Sequence, residues 1–411
     1  MRKLLLLVLL AALVIVPVMA QEEGEPPRTG IRPDAPLYAL HGPYWVGTMD
    51  MVIEGENPID ITIWYPALNP ESLPEEVIYH FDAQDKLWFE VPPIETFHYG
   101  HALADAEPNM ADGPYPFVIY SQGFGVDRDA TFYLTEHLAS HGFVVISANH
   151  TEVFDPEYTE LGYSAIERPL DVQATIAFAE DLTAPEGDMA GLMDMDRMAA
   201  IGWSLGGYTA LTAAGGRFDT AEFNARCEAA APESKLVQVY CNNIVPHEEE
   251  LAAMAGLETV PEAFWPDWGD DRIKAVVTLA GSGILQETGL SEINAPLMSI
   301  VGTIDGDGQG LIYSQEFYDY VSSEHKALVT LEGAAHQVFS GACDDTAGIV
   351  EMGFFGACSD PVWDMDRAHD LINHFTTAFL LAELYGDEEA RAALAPDAVA
   401  FPGIGYEAVG Y

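Results

Sequence analysis

The chain has 411 residues, with 66 Asp+Glu against 16 Lys+Arg and a formal net charge of −50. A surface so one-signed repels polyanions and excludes nucleic acid and anionic membranes as partners. The length suits one large domain with insertions or two small ones, and no internal repeat is evident.

Arg2-Lys3, the apolar run Leu4 to Val16 and the small-residue site Val18-Met19-Ala20 precede polar Gln21-Glu22-Glu23. This order predicts a secretory signal peptide over 1–20, with the mature protein secreted or periplasmic. The run is short for a membrane span, and no cysteine follows it to carry a lipid. Nothing later is apolar enough for stable membrane insertion. Residues 21–36, rich in Glu, Pro and Gly, read as a flexible lead-in.

Residues 37–411 read as one domain. The alternating, β-branched stretch Asp60 to Tyr65 stops at Pro66 and predicts a strand. Residues 67–113 read as loops and excursions. Strands are expected at 115–120, 143–148, 198–201, 273–280, 296–301 and 326–331, and helices at 130–141, 169–181 and 365–385. This alternation argues for a mainly parallel central sheet with helices on both faces. Ligands of such sheets bind at the carboxyl ends of the strands.

Residues 216–271 interrupt the alternation and read as a helical cap insertion. Its aromatics Phe264, Trp265 and Trp268 are candidates for the wall of an apolar substrate slot, or for packing the cap onto the body. Four cysteines, Cys227, Cys241, Cys343 and Cys358, allow three pairings in an exported chain. The local pairing, Cys227–Cys241 and Cys343–Cys358, is expected because each pair brackets one short loop-like stretch. No C-x-x-C and no histidine at ligand spacing stands beside them, which argues against zinc.

The chemistry centres on Gly202-Trp203-Ser204-Leu205-Gly206-Gly207. A short apolar strand precedes it and a small-residue helix follows, the context of the G-x-S-x-G nucleophile elbow of α/β-hydrolases. A serine hydroxyl needs a histidine base held by a carboxylate, in the chain order Ser, acid, His. Asp305 follows the strand at 296–301 and His336 follows the strand at 326–331, so the expected catalytic set is Ser204, Asp305 and His336. Asp307, two residues on, competes with Asp305 for the acid role. The run from Asp305 to Glu316 also approaches a calcium loop, with Asp307 and Glu316 as weak ligands, but it follows a strand where such loops follow a helix. Backbone N–H groups of Leu205 and Phe124 are the expected oxyanion donors, and Trp203 and the Phe124 ring are pocket candidates. No cofactor is needed.

Tyr120-Ser121-Gln122-Gly123-Phe124-Gly125, Leu138 to Val145, the elbow itself and Ile63-Trp64-Tyr65-Pro66 resemble α/β-hydrolases of the platelet-activating-factor acetylhydrolase and dienelactone-hydrolase-like esterase group. The central segments with Gly333 to His336 also resemble cutinase-like polyester hydrolases. The resemblance spans roughly residues 40–380 and implies an α/β-hydrolase fold and ester hydrolysis. It departs from the acetylhydrolases at Gln122, where they carry histidine, and at Leu279 to Gly283, which lacks their carboxylate. It departs from dienelactone hydrolases in having Ser204 where they use cysteine. The insertion at 216–271 is foreign to the compact cutinase-like enzymes. His150 resembles a family position with a structural role.

These features imply a serine esterase acting on neutral or apolar esters, short-chain or acetyl-type above all. The alternatives are a lipase or polyester hydrolase working at an interface, and a non-catalytic calcium-dependent binding module. Self-repulsion among the carboxylates is screened by salt, so the melting temperature should rise from low to moderate ionic strength. A curve that is flat or falls with salt overturns this reading of the charge.

Overall fold

The computed structural model describes residues 26–411; the expected signal peptide and the first part of the lead-in lie outside the described residues. The rest of the lead-in is tethered: the Asp370 carboxylate accepts the N–H groups of Ile31 and Arg32, each at 3.0 Å, and Arg32 pairs with Asp364 at 3.1 Å.

Thirteen strands are present among the described residues: β1 (Trp45–Ile53), β2 (Ile59–Ala67), β3 (Val77–Phe81), β4 (Thr96–Gly100), β5 (Leu103–Ala104), β6 (Tyr115–Ser121), β7 (Val144–Ala148), β8 (Met193–Trp203), β9 (Ile273–Leu279), β10 (Leu297–Gly302), β11 (Lys326–Leu331), β12 (Thr346–Ala347) and β13 (Ile404–Val409). Ten form one sheet in the order β13-β11-β10-β9-β8-β6-β7-β2-β1-β5. The six central strands, β11 to β7, run parallel; β2 and β13 join antiparallel at either side. This is the α/β-hydrolase fold. Toward their carboxyl ends the central strands are largely apolar and buried because both faces are covered.

The helices are α1 (Phe132–Ser140), α2 (Leu161–Thr183), α3 (Leu205–Ala213), α4 (Thr220–Ala229), α5 (Lys235–Ile244), α6 (Glu248–Met254), α7 (Glu287–Leu290), α8 (Gln309–Tyr320), α9 (Met365–Leu380) and α10 (Glu388–Ala393). Two apolar clusters form, one with α2, α3 and α8 and one with α1 and α9. Helix α2 starts eight residues before the expected Pro169 and runs through it. Proline lacks the N–H that would bond the Ala165 carbonyl a turn earlier. The Tyr208 hydroxyl from α3 takes that carbonyl instead, at 2.8 Å, so the helix survives the interruption.

Residues 67–113 are not only loops. They carry β3 and β4, which form a second sheet with β12. Because β12 comes from a distant segment, no local pattern announces this sheet. Helices α4 to α6 lie within 216–271; α5 and α6 pack along α2, and α4 packs on α5. Gly162 meets α5 so closely that a Cβ there would lie 2.1 Å from the Asn243 carbonyl oxygen. The disulfides are Cys227–Cys241, joining α4 to α5, and Cys343–Cys358, which closes the loop carrying β12. No helix among the described residues is long and apolar enough to cross a membrane.

Glu136 on α1 ties the small sheet to the body. It is buried, and it accepts from the Tyr79 hydroxyl at 2.7 Å and the His101 N–H at 2.9 Å. Burial pushes its carboxyl up to about 8 despite these bonds. Between its unfolded value and that pH the native state holds a proton that the unfolded chain has lost. Stability therefore falls as pH rises through this window. The melting temperature should drop between about pH 5 and 8, and Glu136→Gln should remove part of that slope. An identical slope in the variant overturns the assignment.

Candidate active site

β8 delivers Ser204 at its carboxyl end, and α3 begins at the next residue. The turn is possible only because its neighbours lack Cβ atoms. A Cβ on Gly202 would lie 1.8 Å from the Gly206 carbonyl oxygen, and one on Gly206 would lie 1.9 Å from the Ser121 carbonyl oxygen. Ser204 itself is strained, with φ 57° and ψ −119°. Such a conformation costs on the order of 1–3 kcal/mol and persists only where surroundings over-determine it. Here the Ser204 N–H donates to Leu279 O at 2.8 Å, while its carbonyl accepts from the N–H groups of Gly207 and Ser282, both at 2.9 Å.

Asp305 follows β10 and His336 follows β11. His336 Nδ1 bonds Asp305 Oδ1 at 2.9 Å. Asp305 is buried whereas the His336 ring is one-third exposed, so a fixed carboxylate holds an imidazole at the site's edge. The His336 turn is anchored one residue earlier, where Ala335 N–H donates to Asp360 Oδ2 at 2.7 Å. The Trp203 ring lies 5.6 Å from the His336 ring, tilted by 31°. Asp307 has φ 57° on an exposed turn and makes no hydrogen bond to His336.

Ser204 and His336 border two cavities. The larger, about 390 Å³, is apolar, walled by Phe81, Phe124, Phe154, Tyr158, Trp203 and Phe354 among others. The smaller, about 260 Å³, lies on the other side of Ser204, against Leu161, Leu236, Val239, Tyr240 and Tyr313. Lys86 and Asp127 are the charged residues at the larger cavity. Burial lowers the Lys86 ammonium's pKa. Burial likewise pushes the Asp127 carboxyl up to about 6. Lys86 Nζ donates to Asn149 Oδ1 at 3.0 Å and to His150 O at 2.6 Å.

The expected aromatic slot is corrected. Phe264, Trp265 and Trp268 border neither cavity. Trp265 is buried against Phe218 and donates to Thr220 Oγ1 at 2.8 Å. Trp268 is buried too, and Phe264 lies beneath the Arg217 guanidinium. The contacts of Phe264 and Trp265 lie within the insertion itself, and the cavities are walled instead by α5, the small sheet and the Cys343–Cys358 loop. Of the two weak calcium candidates, Glu316 is already engaged. Glu316 is held by Arg226 Nη2 at 3.0 and 3.1 Å, and Asp305 faces His336. Among the described residues no cluster of three or more His, Cys, Asp or Glu is arranged to hold a metal.

The loop after β6 carries Gln122 to Gly125. Gly123 lies against the serine, since a Cβ there would be 3.5 Å from the Ser204 Cβ. Leu205 opens α3, so its N–H has no acceptor within the helix. Sequence reasoning missed Arg168 and Glu152, which are buried behind this loop. No sequence signal marks them, since Glu152 follows Asn149-His150-Thr151 and Arg168 stands between Glu167 and Pro169. His150 is buried beside them, bonding Asp171 Oδ2 at 2.8 Å and Ser121 Oγ at 3.2 Å.

Residues 30–154 match the family described as platelet-activating factor acetylhydrolase, isoform II. Residues 106–238, with Phe124 and Ser204, match the family described as PET hydrolase-like. The chain has the α/β-hydrolase fold and over these segments is similar to those two hydrolase families. Among similar solved structures is a ferulic acid esterase from Streptomyces cinnamoneus, 18% identical, with a TM-score of 0.56, covering 88% of this chain and 96% of that one. At that identity the likeness concerns the fold. No curated protein matches the chain.

Asparagine at 305 would keep the shape but favour the wrong imidazole tautomer. Asp305→Asn should lower kcat for ester hydrolysis by up to about 10⁴-fold, as loss of a triad carboxylate does. Asp307→Asn should leave it within about twofold, a change worth under 0.5 kcal/mol of barrier. The reverse ranking, measured with p-nitrophenyl butyrate, would make Asp307 the acid.

Proposed function

We propose that the protein is an exported serine carboxylic-ester hydrolase that acts through an acyl-enzyme on neutral or apolar esters. One observation carries the reading: a strained serine borders the same cavities as an imidazole whose far nitrogen is held by a buried carboxylate. His336 takes the Ser204 proton, and Oγ attacks the ester carbonyl. The oxygen becomes an anion held by the N–H groups of Leu205 and Phe124. Collapse expels the alcohol, which takes the proton from His336. Water, deprotonated by the same imidazole, then attacks the acyl carbon and releases the acid and Ser204.

Two disulfides support export to an oxidising compartment. The apolar walls and the carboxylate-rich surface disfavour anionic substrates. The two family matches support ester cleavage as the reaction class. A second reading, hydrolysis at a lipid or polyester interface, is favoured by exposed Trp88 and Phe355 beside Phe89 and Phe354 at the larger cavity. Rates on soluble esters, emulsions and polyester film separate the two.

Ser204→Ala should reduce p-nitrophenyl butyrate turnover by about 10⁴-fold or more without changing the melting curve by more than a few degrees. Retained turnover in the folded variant refutes the proposal.

A further inference from the structure

Arg168 lies on α2 with no exposed surface. Its guanidinium has five N–H donors, and five acceptors meet them. Nε donates to Glu152 Oε1 at 2.5 Å, and Nη2 to Glu152 Oε2 at 3.1 Å and to the Gly123 carbonyl at 2.9 Å. Nη1 donates to the Gln122 carbonyl at 2.5 Å and reaches Ser121 Oγ at 3.4 Å. A buried ion pair is a weak device for stability alone. This one directs two donors onto successive carbonyls of the loop beside Ser204.

The consequence follows from peptide geometry. The Gly123–Phe124 bond is trans, since the one cis bond among the described residues is Gly113-Pro114. In a trans peptide the C=O and N–H point in opposite directions. With the Gly123 carbonyl turned to Arg168, the Phe124 N–H is turned away from it. Among the described residues that N–H has no hydrogen-bond acceptor, and Phe124 borders both cavities beside Ser204. The same part of α2 is tied to the serine's helix, because Tyr208, four residues after Ser204, donates to Ala165 O. One turn of α2 thus references both donors, Phe124 N–H and Leu205 N–H.

We propose that Arg168, held by Glu152, is the positioning residue of the oxyanion pocket, aiming the Phe124 N–H at the oxygen that becomes charged. Lysine cannot replace it, having three donors on a point charge in place of a planar fork. The ion pair is self-consistent: burial alone raises the Glu152 carboxyl, but the charge and hydrogen bonds of Arg168, together with the nearby His150 and Lys86, outweigh it and hold the group at about 2.

The inference rests on the serine-esterase reading, and the test separates the two. Arg168→Lys, Glu152→Gln and Ser204→Ala are compared for kcat and KM on p-nitrophenyl butyrate. Inhibition by an alkyl trifluoromethyl ketone, whose tetrahedral adduct carries the oxyanion, is measured alongside. Arg168→Lys should lose kcat by about 10²-fold, the scale of one lost oxyanion donor, with KM within about twofold, and its affinity for the ketone should fall by a similar factor. Glu152→Gln conserves volume and tests the clamp if Arg168→Lys does not fold; it should lose kcat by about tenfold with KM unchanged. Wild-type kcat in either folded variant overturns the proposal, as does a loss confined to KM with unchanged ketone affinity. Turnover surviving in Ser204→Ala sinks the esterase reading itself.

Discussion

Backbone meets backbone at the end of β8, and much of the site is arranged around that contact. Gly202 and Gly206 touch across the turn, Gly206 also touches the Ser121 carbonyl, and Gly207 packs on Gly281. Three chain segments, the ends of β6, β8 and β9, therefore close on one point. Ser204 is forced to positive φ there, and it is held by bonds to Leu279, Gly207 and Ser282. The strain is affordable because β8 lies inside the sheet, flanked by parallel neighbours whose apolar faces are buried on both sides.

Around that corner the protein divides its labour between elements of different rigidity. Strands β10 and β11 supply Asp305 and His336 from adjacent edges, so their spacing follows from the sheet's own register. The cavity walls come from segments outside the main sheet: the small sheet and the Cys343–Cys358 loop on one side, α5 on the other. Both walls lie close to a disulfide. A covalent tie limits the freedom of such segments in the unfolded chain, which suits walls with little core of their own. Arg168 and Glu152 stand behind the loop that separates the cavities, and they turn a flexible glycine segment into a fixed one.

Charge has two scales here. The surface is overwhelmingly acidic, yet several charged groups around the site sit beside a specific partner or bond network: Glu152 with Arg168, Lys86 with two oxygens, Asp305 with His336. Glu136 is the contrasting case. It is buried away from any cation and is satisfied by a phenol and an amide N–H.

The sequence by itself determined what short-range chemistry dictates. Glycines flanking Ser204 mark a sharp turn, apolar runs mark the central strands, and residues just past those runs, such as Asp305 and His336, must emerge at one edge of a parallel sheet. The close spacing of the cysteines made their local pairing legible for the same reason. Only the tertiary structure decided matters that depend on distant partners. Trp265 and Trp268 are as apolar as any pocket wall, and nothing in their sequence neighbours says that both are buried away from the cavities, Trp265 against Phe218 and Thr220. The second sheet needs β12, some 250 residues from β4 in a chain where pattern reasoning is local. Arg168 resembles an unremarkable helix residue until the fold brings Gln122, Gly123 and Glu152 to its five donors. Hydrogen-bond geometry is a property of three-dimensional proximity, which hydrophobic periodicity does not encode.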